Sequence, residues 1–168
     1  MSWKAIFTSK ETKQKQFDQT LTNFIYDCEN SFFVNGKLML NNDLKIFLVG
    51  WLLSMNPNET KIRNKIVALF TSMYRITNDN LREYSTKFDI NASVDSFNAL
   101  HMEGKIAFVL LIHCMLYIES PTIPQTVAMA INLFSYINID YTFYKKIVEE
   151  FKRENHYPEI NFIFEVKL

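Results

Sequence analysis

Glycine and proline are scarce in this chain: three glycines and four prolines in 168 residues. So few turn-formers leave little room for the many tight turns of a β-sandwich or barrel, and they favour helices. Cysteine is scarcer still. Cys28 and Cys114 lie in unrelated apolar contexts, with no CxxC, CxxH or HxxxH spacing to hold zinc. They read as two buried thiols of a reducing compartment. Charge of one sign is absent as an excess, because 18 Lys and Arg balance 18 Asp and Glu. No global field therefore draws the chain to nucleic acid or to an acidic partner. Lys4, Lys10, Lys13 and Lys15 make only a mildly basic start, the solvated face of a first helix.

Long hydrophobic runs are missing as well. The longest, Ile106 to Ile118, has 13 residues, interrupted by a histidine, and is too short to span a bilayer. The first residues, MSWKAIFTSKETKQ, carry neither a long apolar segment nor a small-residue cleavage site. These features predict a soluble, cytoplasmic protein whose membrane contact is at most peripheral. GxSxG, GxGxxG, P-loop and HExxH patterns do not occur, which argues against the common enzyme classes.

What the chain has in quantity is apolar and aromatic surface. Hydrophobic residues make up 48%, with fifteen Phe and eight Tyr. That suffices for one domain, residues 1–168, with a core that needs no cross-links. Spacing predicts an all-α bundle of six to seven helices. Phe17, Leu21, Phe24, Ile25 and Cys28 form one stripe of a helix from Lys13 to Asn30, with residues 1–12 a flexible lead. A second helix carries Leu44, Phe47, Leu48, Trp51 and Leu52, capped by Asn42 or Asp43 and broken at Asn56-Pro57. Between these two, Asn35-Gly36 reads as a connector, a β-hairpin being the alternative. A third helix runs from about Glu59 to Arg75. A shorter one, capped by Asn78 or Asp79, extends to Phe88.

Leu100 to Ile118 is the central helix, apolar on nearly every side from Ile106 onward. Pro121 and Pro124 end it and open the next, from Thr126 to Ile137. Asp140 or Thr142 caps the last helix, to about Asn155. Beyond Pro158, Ile160, Phe162, Phe164 and Val166 alternate, which predicts a terminal strand within an extended tail, residues 156–168. Such a strand needs a partner, either elsewhere in the same chain or in a second copy, as in a homodimer formed through it.

The residue types able to do chemistry are few. His113 shares a helix side with Ile106, Val109, Leu110, Leu116 and Tyr117, so it reads as a core residue with a satisfied hydrogen bond. Cys114 points about 100° away on the same helix, so the adjacent pair is no Cys–His dyad. The enzymatic alternative is a small helical enzyme using His113 with a distant acid or thiol. Glu149, Glu150 and Glu154 lie among Lys145, Lys146, Lys152 and Arg153 as a solvated ion-pair face. Phe134, Tyr136, Tyr141, Phe143 and Tyr144 read as core packing, with a partner groove as the alternative.

From Glu103 to Phe151 the layout resembles the second half of a tellurite-resistance TerB-like domain. A long apolar helix, GKIAFVLLIHCMLYI, is followed by the acidic turn ESPTI, a second helix, PQTVAMAINLFSYI, and NIDYTFYKKIVEEF. Glu119-Ser120 stands where the family has Asp-Gly, Ile123 at its aliphatic position, and Gln125 or Thr126 where a further acid is expected. A weaker echo starts at Val34, with Asn35-Gly36, 84 residues before Ile118-Glu119-Ser120. The resemblance thus implies two related helical halves from an internal duplication. It also implies a non-enzymatic binding or scaffolding module, bacterial, stress-response or envelope-associated, whose partner is another protein. The family's acids are its metal-ligand candidates, and here only Glu119 and Asp43 remain. A hard divalent cation wants more convergent oxygens than these two provide, so no metal and no cofactor is expected, a divalent-metal-binding protein using Glu119 and Asp43 being the alternative.

Overall fold

The computed structural model describes residues 3–31, 33–34, 37–38, 61–87, 94–95, 97–118, 124–154 and 156–168. Within them the protein is all-α apart from one two-residue hairpin. The helices are α1 Trp3–Asn30, α2 Lys61–Tyr74, α3 Asn78–Lys87, α4 Met102–Tyr117, α5 Pro124–Tyr136 and α6 Tyr141–Glu154. A 3₁₀ turn, Pro158–Ile160, leads into a single-turn helix, α7 Asn161–Phe164.

Helix α1 starts at Trp3, ten residues before the expected start at Lys13, so the expected flexible lead at 1–12 is largely helical. Residues 8–16 are exposed and rich in Lys, Gln, Thr and Glu. Most of these extend an existing helix at little cost once its buried half has paid for nucleation. Side-chain bonds four residues apart line its solvent face, as in Gln14 Nε2 to Asp18 at 3.0 Å and Gln19 Nε2 to Asn23 at 2.9 Å.

At the Asn35-Gly36 signal, β1 (Phe33–Val34) pairs antiparallel with β2 (Lys37–Leu38), Phe33 opposite Leu38 and Val34 opposite Lys37. The connector reading therefore gives way to the hairpin, the geometry that Asn-Gly between apolar residues favours. The helix expected at Leu44–Leu52, with its Asn42 or Asp43 cap, lies outside the described residues.

Helix ends follow local chemistry. The cap of α3 is Thr77, one residue before Asn78 and two before Asp79. Its hydroxyl accepts from the Asn80 amide at 3.2 Å, and Asn80 Oδ1 accepts from the Thr77 amide at 3.0 Å, a reciprocal capping box. Asp140 caps α6, its Oδ1 accepting from the Phe143 amide at 2.7 Å. Two residues beyond the end of helix α5, Asn138 has a φ of 63°, which lets the Ile139 amide reach back to the Phe134 carbonyl at 2.9 Å. Asparagine tolerates that left-handed geometry better than most side chains.

Helix α4 organises the rest. Every residue from Ala107 to Leu116 is buried, so it has no wet face. It contacts α1, α5, α6 and α7. Leu21, Phe24 and Ile25 of α1, Leu133 and Phe134 of α5, and Ile147 and Val148 of α6 close around it in one buried cluster. Fully burying side chains of this size contributes roughly 1.5–3 kcal/mol each.

The C-terminus is where the structure departs most from the period-2 expectation. Residues 158–164 are helical, neither strand nor extended tail. Ile160, Ile163 and Phe164 are buried, a spacing of i, i+3, i+4, while Phe162 is 51% exposed. Pro158 opens the 3₁₀ turn, a position at which its fixed φ suits helical geometry. With the segment folded onto its own chain, the edge on which a strand-mediated homodimer was expected is not formed at these residues.

The start of α4 approaches α1 closely. A Cβ built on the buried Gly104 would lie 3.2 Å from the Ser31 carbonyl oxygen and 3.5 Å from Leu100 Cβ. Gly104→Ala gains helix propensity of about 1 kcal/mol against that tight contact, and its urea midpoint should stay near wild type. Gly104→Val adds branched bulk against backbone and should lose roughly 1–3 kcal/mol. Equal stability of the two variants would contradict this packing.

Candidate functional site

His113 emerges from the middle of α4 with no exposed surface. Its Nδ1 lies 2.6 Å from the Tyr144 hydroxyl of α6, and its Nε2 lies 2.9 Å from the Ile163 carbonyl of α7. A carbonyl can only accept, so Nε2 carries the hydrogen and donates to it. Nδ1 is then the bare nitrogen and accepts from the tyrosine O–H. The Phe164 ring stacks on the imidazole at 5.3 Å between centroids, and Tyr117 lies at 4.7 Å. Desolvation lowers the His113 pKa from 6.5 to about 4, partly opposed by the Ile163 carbonyl bond. Burial also pushes the Tyr144 hydroxyl well up. The result is a neutral imidazole with both nitrogens occupied, and among the described residues neither a carboxylate nor a thiol is bonded to it. The reading of His113 as a satisfied core residue is the one this geometry carries.

Cys28 and Cys114 are both free and buried, and desolvation raises both thiols far from the reactive thiolate. On α6, Lys146 Nζ lies 3.9 Å from Glu150 on an exposed face, the expected solvated pair. The aromatic set divides. Phe134 and Tyr144 are core, Phe143 is half-buried, and Tyr136 and Tyr141 are exposed, with Lys145 Nζ 4.9 Å from the Tyr141 ring centroid. Thr126 is buried and Gln125 exposed. Glu119, Ser120, Ile123 and Asp43 lie outside the described residues. Among the described residues no group of three His, Cys, Asp or Glu could hold a metal ion, and no helix is long and apolar enough to cross a membrane.

A second polar feature, missed at the sequence level, lies between α1 and the C-terminal segment. Beside its buried stripe, α1 carries Thr20, Asn23 and Asp27 at i, i+3 and i+7, one polar face. Opposite them stand Tyr157 and Glu159. The Tyr157 hydroxyl donates to Asp27, and the Thr20 hydroxyl donates to Glu159 at 2.8 Å. These groups line an open cleft of about 520 Å³. Burial and the Asp27 carboxylate together raise the Tyr157 hydroxyl. The aromatic cluster beneath fixes this wall: Tyr157 lies 5.4 Å from Phe24 and 5.8 Å from Phe151, and Phe151 lies 4.5 Å from Phe164. Only the i, i+3, i+7 polar face was available as a signal, and it is indistinguishable from an ordinary solvated helix face.

No family model, no curated protein and no solved structure matches this chain.

Two measurements check the site. Between pH 6.5 and 4 the unfolded chain binds the His113 proton and the folded chain does not, so stability is full above pH 6.5 and falls as the pH drops. The loss through this one group is ~3 kcal/mol by pH 4. Denaturant titrations across that range should show it, and His113→Gln should flatten the slope. Independently, neither thiol should react with a maleimide reagent until the protein is unfolded. Rapid labelling of Cys114 in the native state would contradict its burial.

Proposed function

We propose that the protein is a non-enzymatic helical binding or scaffolding module of the TerB-like kind, engaging another protein through its surface. The observation that supports this reading is the state of His113. It is the best-placed candidate for chemistry in the sequence, yet it spends both ring nitrogens on Tyr144 and Ile163 in the core. An imidazole held this way has no free nitrogen to serve as a general base. Its role is to join helices. The TerB-like layout, with two related halves in a bundle and Glu119-Ser120 at the acidic turn, rests on the sequence resemblance. The bacterial, stress-response or envelope-associated setting rests on the same resemblance and is analogy.

Photo-crosslinking of the full chain in cells, followed by mass spectrometry, tests the reading. One protein should be captured reproducibly and should rebind the purified chain with a Kd below about 10 μM, or about −7 kcal/mol. His113→Gln, assayed where it remains folded, should bind that protein as wild type does. The reading fails if no captured protein rebinds in pure form.

A further inference from the structure

We propose that the outer face of α5 is a self-association surface, on which a second copy of this chain packs its own α5 antiparallel about a two-fold axis. This goes beyond the binding-module reading and does not depend on it.

The face is bare of charge. From Ser120 to Ile139 the chain carries no acidic or basic residue. Past the first residue of α5, its exposed positions are Gln125, Ala128, Met129, Asn132, Ser135 and Tyr136. Met129 is 56% exposed and Tyr136 51%. The outer face of α6 is the opposite case, with Lys146, Glu149, Glu150, Lys152 and Arg153 all exposed. Surfaces buried between proteins are depleted in Lys, Glu and Asp and enriched in Tyr and Met. The lack of charge also selects the occupant. Beside a two-fold axis each side chain lies near its own copy, so a charged residue there meets its like. The outer face of α5 brings no such pair together.

The spacing is self-complementary. At the helical period these exposed residues span one arc centred on Asn132. Met129 and Tyr136 form one flank, and Ala128 and Ser135 form the other, each pair two turns apart. A two-fold axis crossing between Asn132 and Leu133 reverses the helix direction and keeps each flank on its own side. Each Met129 then lies level with the partner's Tyr136, about 5 Å along the helix from the axis. A thioether against an aromatic ring is a favourable contact. On the other flank, Ala128 and Ser135 are small and let the two helices approach closely. The Asn132 side chains meet near the axis, and a carboxamide, with both donors and an acceptor, can pair with its own copy. One helix face is smaller than the ~800 Å² that each partner of a standard interface buries. The association is therefore weak, with an expected Kd between about 1 μM and 1 mM.

Sedimentation equilibrium of the full chain over that concentration range tests the assignment, and the mass should rise from monomer to dimer. Met129→Lys and Tyr136→Glu each change an exposed side chain, so circular dichroism should show wild-type helix content for both. Each variant alone should weaken the dimer at least ~10-fold. Mixed in equal amounts, the two should associate about as tightly as wild type. The mixed dimer sets the introduced lysine against the introduced glutamate at one contact and keeps Met129 against the partner's Tyr136 at the other. Asn132→Lys puts two like charges beside the axis and should abolish association by itself, which keeps the test open if a flank variant misfolds. Glu150→Lys, on the charged face of α6, should leave the dimer unchanged. The proposal is overturned if the chain stays monomeric up to ~1 mM, or if the folded α5 variants dimerise as wild type does. It is also overturned if the mixture associates no more tightly than either flank variant alone.

Discussion

The rest of the structure depends on one buried polar junction. His113 sits in the middle of a helix that is otherwise an apolar rod, and an unpaired imidazole there would cost more than most single contacts contribute. The cost is avoided because α6 brings the Tyr144 hydroxyl to Nδ1 and α7 brings the Ile163 carbonyl to Nε2. Apolar packing alone lets helices slide or rotate with little change in buried area. A hydrogen-bonded group with two fixed directions does not, so α4, α6 and the C-terminal segment acquire one mutual register. The Phe24, Phe151, Tyr157 and Phe164 rings then complete the wall between that segment and α1. The same wall forms one side of the polar cleft, so the core junction and the surface feature share a support.

Much of the helical framework is legible in the sequence because one segment can be matched to one period. The run from Ile106 to Ile118 has too few polar residues to offer a solvent face, and it becomes the helix buried all round. Leu21, Phe24, Ile25 and Cys28 mark the inner stripe of α1 and are buried. Asp140, short and polar ahead of an amphipathic run, caps α6 as its chemistry predicts.

Other parts are not legible, for identifiable reasons. In the C-terminal segment, Ile160 and Phe164 belong both to an alternating pattern and to a helical one. Seven or eight residues are too few for periodicity to separate them. The deciding facts are the Pro158 start and the burial of Ile163, which depends on α4 lying beneath it. Asn35-Gly36 was ambiguous because asparagine and glycine serve both a hairpin and a helix stop. His113 shows its burial in sequence but not its partners, which lie 31 and 50 residues away. The cleft is least visible of all: Asp27 and Tyr157 are 130 residues apart and meet only because the C-terminal segment folds back along α1.

The most direct test of the His113 junction is long-range ¹H–¹⁵N correlation of the imidazole at neutral pH and at pH 5.5. The structure predicts a single neutral tautomer with the hydrogen on Nε2 and a bare Nδ1, unchanged between the two pH values while the protein stays folded. An imidazolium at pH 5.5, or an Nδ1–H tautomer at either pH, would contradict the arrangement on which the fold depends.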